Sequence, residues 1–355
     1  MIKKNGFVSL FFDISIQGVL RMKQQIIERF PGISCAWMDA VGKAETECFG
    51  FADREKQIPV DSNTVFPACS ISKFITAICI MKLHEQKLLD VDMPVNHFLR
   101  QWKLLSADGE ESDAAIRFIL RHMAGIMDGE DSFYGLRAGG PEISLMDILE
   151  GTTFYNNRPV RAEKPQGTAF EYSDAGYCVL QMLIEDVTHK AFDDSVRDIL
   201  IDPLGLSSTF FATPGNITRF ESRMATGYDD NGLPIPGRFP PVPDLAASGL
   251  WSTPKELLSI ADEFLKAFHG ESSFLQAESA REMAVPAKDF PWTGLGIFNS
   301  GENTLSSSGW GENGQCMIKM HCRSRTISVA MTNRNPGVDQ AESGIEWLVN
   351  SRLIV

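Results

Sequence analysis

The run Phe74-Ile75-Thr76-Ala77-Ile78-Cys79-Ile80-Met81 is apolar nearly all the way round a helix. Such a helix belongs inside a domain, covered on every side by other elements. Directly ahead of it stand Ala68-Cys69-Ser70-Ile71-Ser72-Lys73. Ser70 sits at the mouth of the helix and Lys73 follows one turn later. Residues three apart on a helix share a face, so the hydroxyl and the amine are neighbours. Few structural demands place a lysine at the head of an apolar helix. There it loses hydration, and desolvation favours its neutral form. A neutral amine beside a hydroxyl is a base beside a nucleophile.

Taken alone, Ser-x-x-Lys is a weak signal, expected roughly once or twice by chance in a chain of this length. A second copy, Ser252-Thr253-Pro254-Lys255, reads as a helix start. Thr253 is its N-cap, Pro254 takes the first helical position, and Glu256 closes a capping box, which leaves Lys255 in solvent.

Bulk properties narrow the function classes. A chain of 355 residues is long for one core, and two domains are expected. The net charge of −13 argues against a nucleic-acid partner, which wants a basic face. No apolar run reaches the ~20 residues needed to span a bilayer. Met1-Ile2-Lys3-Lys4 and the apolar residues after it imitate a signal peptide. Asp13 interrupts them and no small-x-small cleavage site follows, so the segment reads as part of the mature chain. The seven cysteines, Cys35, Cys48, Cys69, Cys79, Cys178, Cys316 and Cys322, lie mostly in apolar segments without Cys-x-x-Cys spacing. They read as buried reduced thiols of a cytoplasmic protein, with a periplasmic or secreted placement as the alternative. The six histidines do not cluster at ligand spacing, so neither a metal nor a cofactor is expected. His122 reads as a helix-end residue.

Along the chain, residues 14–30 form a candidate surface helix. Two strands follow, Ile33 to Ala40 and Ala44 to Phe51, joined by a turn at Val41-Gly42-Lys43. Helical patterns occupy 72–87, 114–124, 144–150, 174–188, 191–201 and 255–268. Residues 214–254, with seven prolines, form an irregular excursion suited to walling a pocket. Strand patterns return at Gly294 to Asn299, Thr304 to Ser308, Gln315 to Cys322 and Thr326 to Thr332, before a last helix at about 338–352. Strands at both ends with helices between them imply an α+β fold: an antiparallel sheet built from the two termini and flanked by helices. The expected division is a sheet domain of residues 14–66 and 270–355 and a mainly helical inserted domain of residues 67–269.

Phe170-Glu171-Tyr172-Ser173-Asp174-Ala175-Gly176-Tyr177 precedes another apolar helix. Asp174 has an ordinary reading as N-cap, and Tyr172 one as a half-buried aromatic. The stretches accumulate, however. Thr64-Val65-Phe66 stands ahead of Ser70-x-x-Lys73, followed by Leu88-Leu89-Asp90-Val91-Asp92-Met93-Pro94-Val95, Ile116 to Ile126, Gly167 to Tyr177, Pro203 to Thr209 and Ala247 to Pro254. In this order, over about residues 20–350, the chain resembles the serine β-lactamase and penicillin-binding-protein superfamily, on the class C β-lactamase, D-aminopeptidase and esterase branch. The resemblance implies a β-lactamase/transpeptidase-like fold and a serine hydrolase working through an acyl-enzyme. It makes Ser70 the nucleophile, Lys73 the base or base-activator and Tyr172 the proton shuttle. Whether Lys73 acts as ammonium, lowering the tyrosine, or as neutral amine stays open at this level.

Two departures from the family pattern stand out. Tyr-x-Asn is here Tyr172-Ser173-Asp174, a carboxylate in place of an amide. The third motif, usually Lys-Thr-Gly or His-x-Gly, falls in Ser306 to Gly314, where no Lys or His occurs. With the motif glycine at Gly311, Gly309 stands where the cation normally does. The backbone N–H groups of Ser70 and Glu312 then form the oxyanion hole. The third-motif cation holds the substrate carboxylate in β-lactam-binding relatives. Its loss, with Asp174 and Glu312 added, makes that side of the pocket anion-repelling. The expected substrate is a neutral ester, or an amide or short peptide bearing a free amine, with Asp174, Trp310, Gly311 and Glu312 lining its site. Trp310 offers a cation–π face; the competing reading has Glu312 in solvent and Trp310 merely packing. An esterase or D-amino-acid amidase/aminopeptidase is thus preferred. The alternative is a β-lactamase, or a penicillin-binding sensor that acylates with little turnover.

Overall fold

The computed structural model describes residues 16–240 and 242–353. The imitation signal segment at residues 1–13 therefore lies outside the described residues. A seven-stranded sheet holds β1 (Gly32–Met38), β2 (Ala44–Asp53) and β3 (Ile58–Pro59) from the N-terminal part of the chain. From the C-terminal part it takes β4 (Phe298–Gly301), β5 (Thr304–Gly311), β6 (Gly314–His321) and β7 (Thr326–Thr332). The order is β3-β2-β1-β7-β6-β5-β4, and every neighbouring pair is antiparallel. The two ends of the chain meet at the β1–β7 seam, where Ile33 lies opposite Thr332 and Met38 opposite Ile327.

Both faces of the sheet are covered, and the alternation along β6 shows how. Cys316, Ile318 and Met320 join the main core with the helices. Met317 faces the other way, into a cluster with Ile26, Phe30, Ile33 and Ala330. Helix α1 (Ile16–Ile27) and the C-terminal helix Ile345–Leu353 close that second face. The terminal helix is shorter than the sequence pattern suggests because Gly344, at φ 94°, separates it from a single turn at Gln340–Ser343.

Helix α2 (Ile71–Glu85) runs through the centre, and twelve of its fifteen residues are buried. Phe74 meets Phe264 edge to face at 5.3 Å. Helix α3 (Asp174–Thr188) packs beside it. Helix α4 (Pro254–His269) lies against β1 and β7, so it belongs to the layer covering the sheet although the sequence groups it with the inserted helices. At its start Thr253 is the N-cap, as read, and Lys255 is exposed. Glu256 does not close a capping box; its carboxylate accepts from the Ser207 and Ser208 N–H groups and from the Thr209 hydroxyl. Three short strands, Phe66–Pro67, Leu250–Ser252 and Phe210–Phe211, form a small sheet that steadies the approach to α2.

Candidate active site

Ser70 stands at the first turn of α2 and makes no capping bond with its side chain. Its hydroxyl is left for other work. The residue before it, Cys69, is held at φ 46°, a left-handed conformation that a non-glycine residue adopts at a cost. The elbow is clamped from the sheet side. A Cβ on Gly309 would stand 2.4 Å from the Ala68 carbonyl oxygen and 2.9 Å from Cys69 Cβ. Only a glycine lets β5 approach this closely, and no lysine side chain fits at position 309 without moving Ala68.

Lys73 Nζ donates to Ser70 Oγ at 3.1 Å and to the Ala247 carbonyl at 2.9 Å. It also pairs with Asp174 Oδ1 at 2.5 Å. Tyr172 stands across from it, its ring 5.0 Å from the ammonium and its phenol near enough to Ser70 and Lys73 for both to favour its ionised form. The residue as a whole is 43% exposed, since its ring edge forms the rim while the phenol faces inward. Ser70, Lys73, Tyr172 and Asp174 therefore converge on one point from two helix starts.

The charges of this cluster bear on the alternative that the sequence leaves open for Lys73. Burial does work against the charged form of Lys73, but the Asp174 carboxylate overrides it, and the ammonium is held well above its ordinary range. Tyr172 is raised as well: burial of the phenol outweighs the lowering effect of the Lys73 charge. Lys73 thus rests as ammonium and Tyr172 as neutral phenol.

Several contributors were not visible in the sequence. Ser173, not Asp174, is the N-cap of α3, accepting from Gly176 N–H, which frees the Asp174 carboxylate for Lys73. Asp128 accepts from Ser173 Oγ, Asp174 N–H and Ala175 N–H at 2.8, 2.8 and 3.0 Å. Burial and the nearby Asp174 charge raise its pKa. His122, buried at φ 59°, stacks under the Tyr172 ring at 4.3 Å and accepts from Ser173 N–H. Burial, then the Lys73 charge, keeps it neutral. His122 is a helix-end residue, as read, and it also fixes the tyrosine. Asp244 is fully buried, its Oδ1 accepting from the Tyr155 hydroxyl at 2.8 Å. Burial and then the Asp174 charge push it up to about 7.

A cleft of about 430 Å³ opens beside the cluster, lined by Cys69, Asp174, Tyr155 and Ser248 on one side and by Trp310, Gly311 and Glu312 on the other. The proline-rich excursion contributes Pro240 and Val242 to its wall. Among the described residues lining it, none is basic. Glu312 occupies the turn between β5 and β6. Its carboxylate is not in bulk solvent: it accepts from Gly135 N–H at 2.8 Å and pairs with Arg137 at 3.4 Å. Trp310 is 45% exposed at the rim.

Comparison with known proteins agrees with this architecture. Over 206 residues the chain is 29% identical to the Unguisins hydrolase ungD of Aspergillus violaceofuscus, covering 57% of this chain and 35% of that protein. It is 28% identical over 193 residues to Esterase EstB of Burkholderia gladioli, covering 53% of this chain and 47% of that one. The matched stretches thus span less than half the length of these relatives. The structure superposes on the D-amino acid amidase of Ochrobactrum anthropi SV3 complexed with D-phenylalanine at a TM-score of 0.74 and 19% identity, over 94% of this chain and 98% of the amidase. Residues 21–348 match the Beta-lactamase family, and with sheet, central helix and serine elbow arranged as described, the chain belongs to that family.

Proposed function

We propose that this protein is a serine hydrolase that acts through an acyl-enzyme on Ser70, with an ester or amide as substrate. The observation that carries the reading is the contact of Ser70 Oγ with Lys73 Nζ at 3.1 Å, with the Tyr172 ring 5.0 Å from that ammonium, at the edge of an open cleft. In this reading Ser70 Oγ attacks the carbonyl carbon while its proton leaves through the Lys73–Tyr172 pair, which later protonates the leaving group. The N–H groups of Ser70 and Glu312 receive the developing oxyanion.

The charge around the cleft favours some substrates over others. The acidic groups lining it are Asp174, paired with Lys73, and Glu312, engaged by Gly135 and Arg137. A substrate carboxylate meets no basic lining residue there, which disfavours β-lactams and D,D-peptides. A neutral ester, or an amide with a free amine beside the scissile carbonyl, fits better. The names of an esterase and a D-amino acid amidase among the similar proteins support that order.

Fluorophosphonate labelling read by mass spectrometry tests the nucleophile, and turnover of esters, D- and L-amino-acid amides and nitrocefin tests the substrate class. Labelling at Ser70, turnover of p-nitrophenyl acetate, and loss of both in Ser70→Ala are expected. Nitrocefin as the best substrate by a wide margin overturns the charge argument. The resting ammonium of Lys73 favours one second reading, a sensor that acylates once. A single stoichiometric burst of p-nitrophenol, with no steady phase, selects it.

A further inference from the structure

An acyl-enzyme mechanism needs a group that takes the Ser70 proton, and the groups touching Ser70 are both protonated at rest. Lys73 is an ammonium and Tyr172 a phenol. His122 lies beneath the Tyr172 ring, with its Nδ1 already accepting from Ser173 N–H. The carboxylate in contact with Lys73 is Asp174, 2.5 Å from Nζ. Where this family carries an amide, the chain therefore places an anionic acceptor one ammonium away from the nucleophile.

Resting on the acyl-enzyme reading above, we propose that Asp174 is the acceptor of the Ser70 proton and that Lys73 relays it. Lys73 first gives one N–H hydrogen to Asp174 Oδ1, and the neutral amine so formed takes the Ser70 hydrogen as Oγ bonds to the carbonyl carbon. Lys73 is then an ammonium again and Asp174 a neutral acid. When the carbon–leaving-group bond breaks, the proton returns from Asp174 through Lys73 to the departing oxygen or nitrogen. In deacylation water bonds to the acyl carbon, its hydrogen follows the same route, and Ser70 Oγ takes the proton back. Asp174 acts through Lys73, without touching the reacting carbonyl.

The surroundings suit an acceptor at this place. Asp128 donates nothing to Asp174; it accepts the Asp174 N–H and sets its negative field beside the carboxylate. Asp244, bonded to Tyr155, faces it from the segment that ends in the Ala247 carbonyl, the group that also holds Lys73. The Tyr177 ring of α3 lies 5.4 Å from the ammonium. The Ala247 carbonyl keeps Lys73 from following the proton to Asp174.

The test is the sign of the effect of Asp174→Asn on p-nitrophenyl acetate, an ester with no amine to bind. The relay predicts a fall in kcat at neutral pH of about 100-fold or more, as for loss of a general base. KM should stay within a few-fold, and Asp174→Glu should recover part of the rate. If free Lys73 amine were the base, the same change would remove the charge that keeps Lys73 protonated, and activity near pH 7 would hold or rise. That result overturns the relay. The pH profile of the native protein decides independently of whether the variant folds. A kcat/KM that reaches its plateau by neutral pH supports the relay, and one that climbs to about pH 10, where lysine and tyrosine ordinarily lose their protons, overturns it. Native turnover that Ser70→Ala leaves intact removes the acyl-enzyme reading itself. Ser70-dependent turnover with an unaffected Asp174→Asn removes only the relay.

Discussion

At the scale of single residues the site is a problem of charge. Three carboxyl groups, Asp128, Asp174 and Asp244, stand around one ammonium, and the surplus negative charge is relieved by protonation. Asp244 carries the clearest consequence. Its pKa in the folded protein is about 7 against an ordinary 3.8, so the folded state binds its proton more tightly than the unfolded chain. The associated stability is complete below the unfolded value and is lost as pH rises toward 7. Holding the ionised form buried costs roughly 4 kcal/mol by that displacement. Asp244→Asn, which keeps an acceptor for the Tyr155 hydroxyl, is therefore expected to melt several degrees above the native protein near pH 8. Near pH 4 the two should coincide. Equal melting temperatures at both pH values would remove the claim that Asp244 is strained by ionisation. Ser70 and Lys73 were legible as neighbours because residues three apart on a helix share a face, while Tyr172 stood out only through the family resemblance. The pairing of Asp174 with Lys73 was not legible, because a carboxylate at a helix start has an equally good local use as a cap. The real cap sits one residue earlier, at Ser173.

At the scale of elements, the site is set by how two helices begin. Helix α2 starts from a left-handed Cys69 under a glycine strand, and α3 starts from a loop that Asp128 ties down by three hydrogen bonds. Tyr172 hangs between His122 and that first turn. Asp128→Ala removes the acceptor of two otherwise unpaired helix N–H groups, at a cost of roughly 1–3 kcal/mol. It also lets Tyr172 and Asp174 drift from Lys73. The expected result is a lower melting temperature together with a fall in kcat at nearly unchanged KM; native kcat with lowered stability alone would make Asp128 a purely structural cap. His122 read only as a helix end, and Asp128 did not stand out in the sequence, because the irregular segment around it has no periodicity to read. The short helices Leu245–Ser248 and Ala277–Ala284, and the two-residue strands, were missed for the same reason. The long amphipathic and buried elements, in contrast, fell within a few residues of their expected places. Glu312 illustrates a different limit, since its partners Gly135 and Arg137 are nearly half the chain away in sequence.

At the scale of the whole molecule, the sheet is closed by its last pieces. The C-terminal helix buries Ile345, Leu348 and Val349 against Ile33, Met317 and Ala330. Lys319 reaches from β6 to Glu346 and Asn350 on that helix at 2.7 and 2.9 Å. Full burial of three such aliphatic side chains contributes about 1.5–3 kcal/mol each, comparable in sum with the ~5–15 kcal/mol that keeps a domain folded. A chain ending before Ile345 is expected to lose cooperative unfolding and Ser70 labelling together, although every residue of the cluster is still present. A truncated chain that labels normally would show the helix to be dispensable. The α+β architecture and the antiparallel order were readable from strand patterns at both termini, but the position of α4 on the sheet was not, since its apolar stripe fits either layer.

The seam between β1 and β7 has one more consequence. The first long strand is synthesised well before its neighbour, so during translation the serine elbow waits without the glycine strand that clamps it. A ribosome-bound chain can form its central helix yet cannot assemble the opposite wall of the cleft.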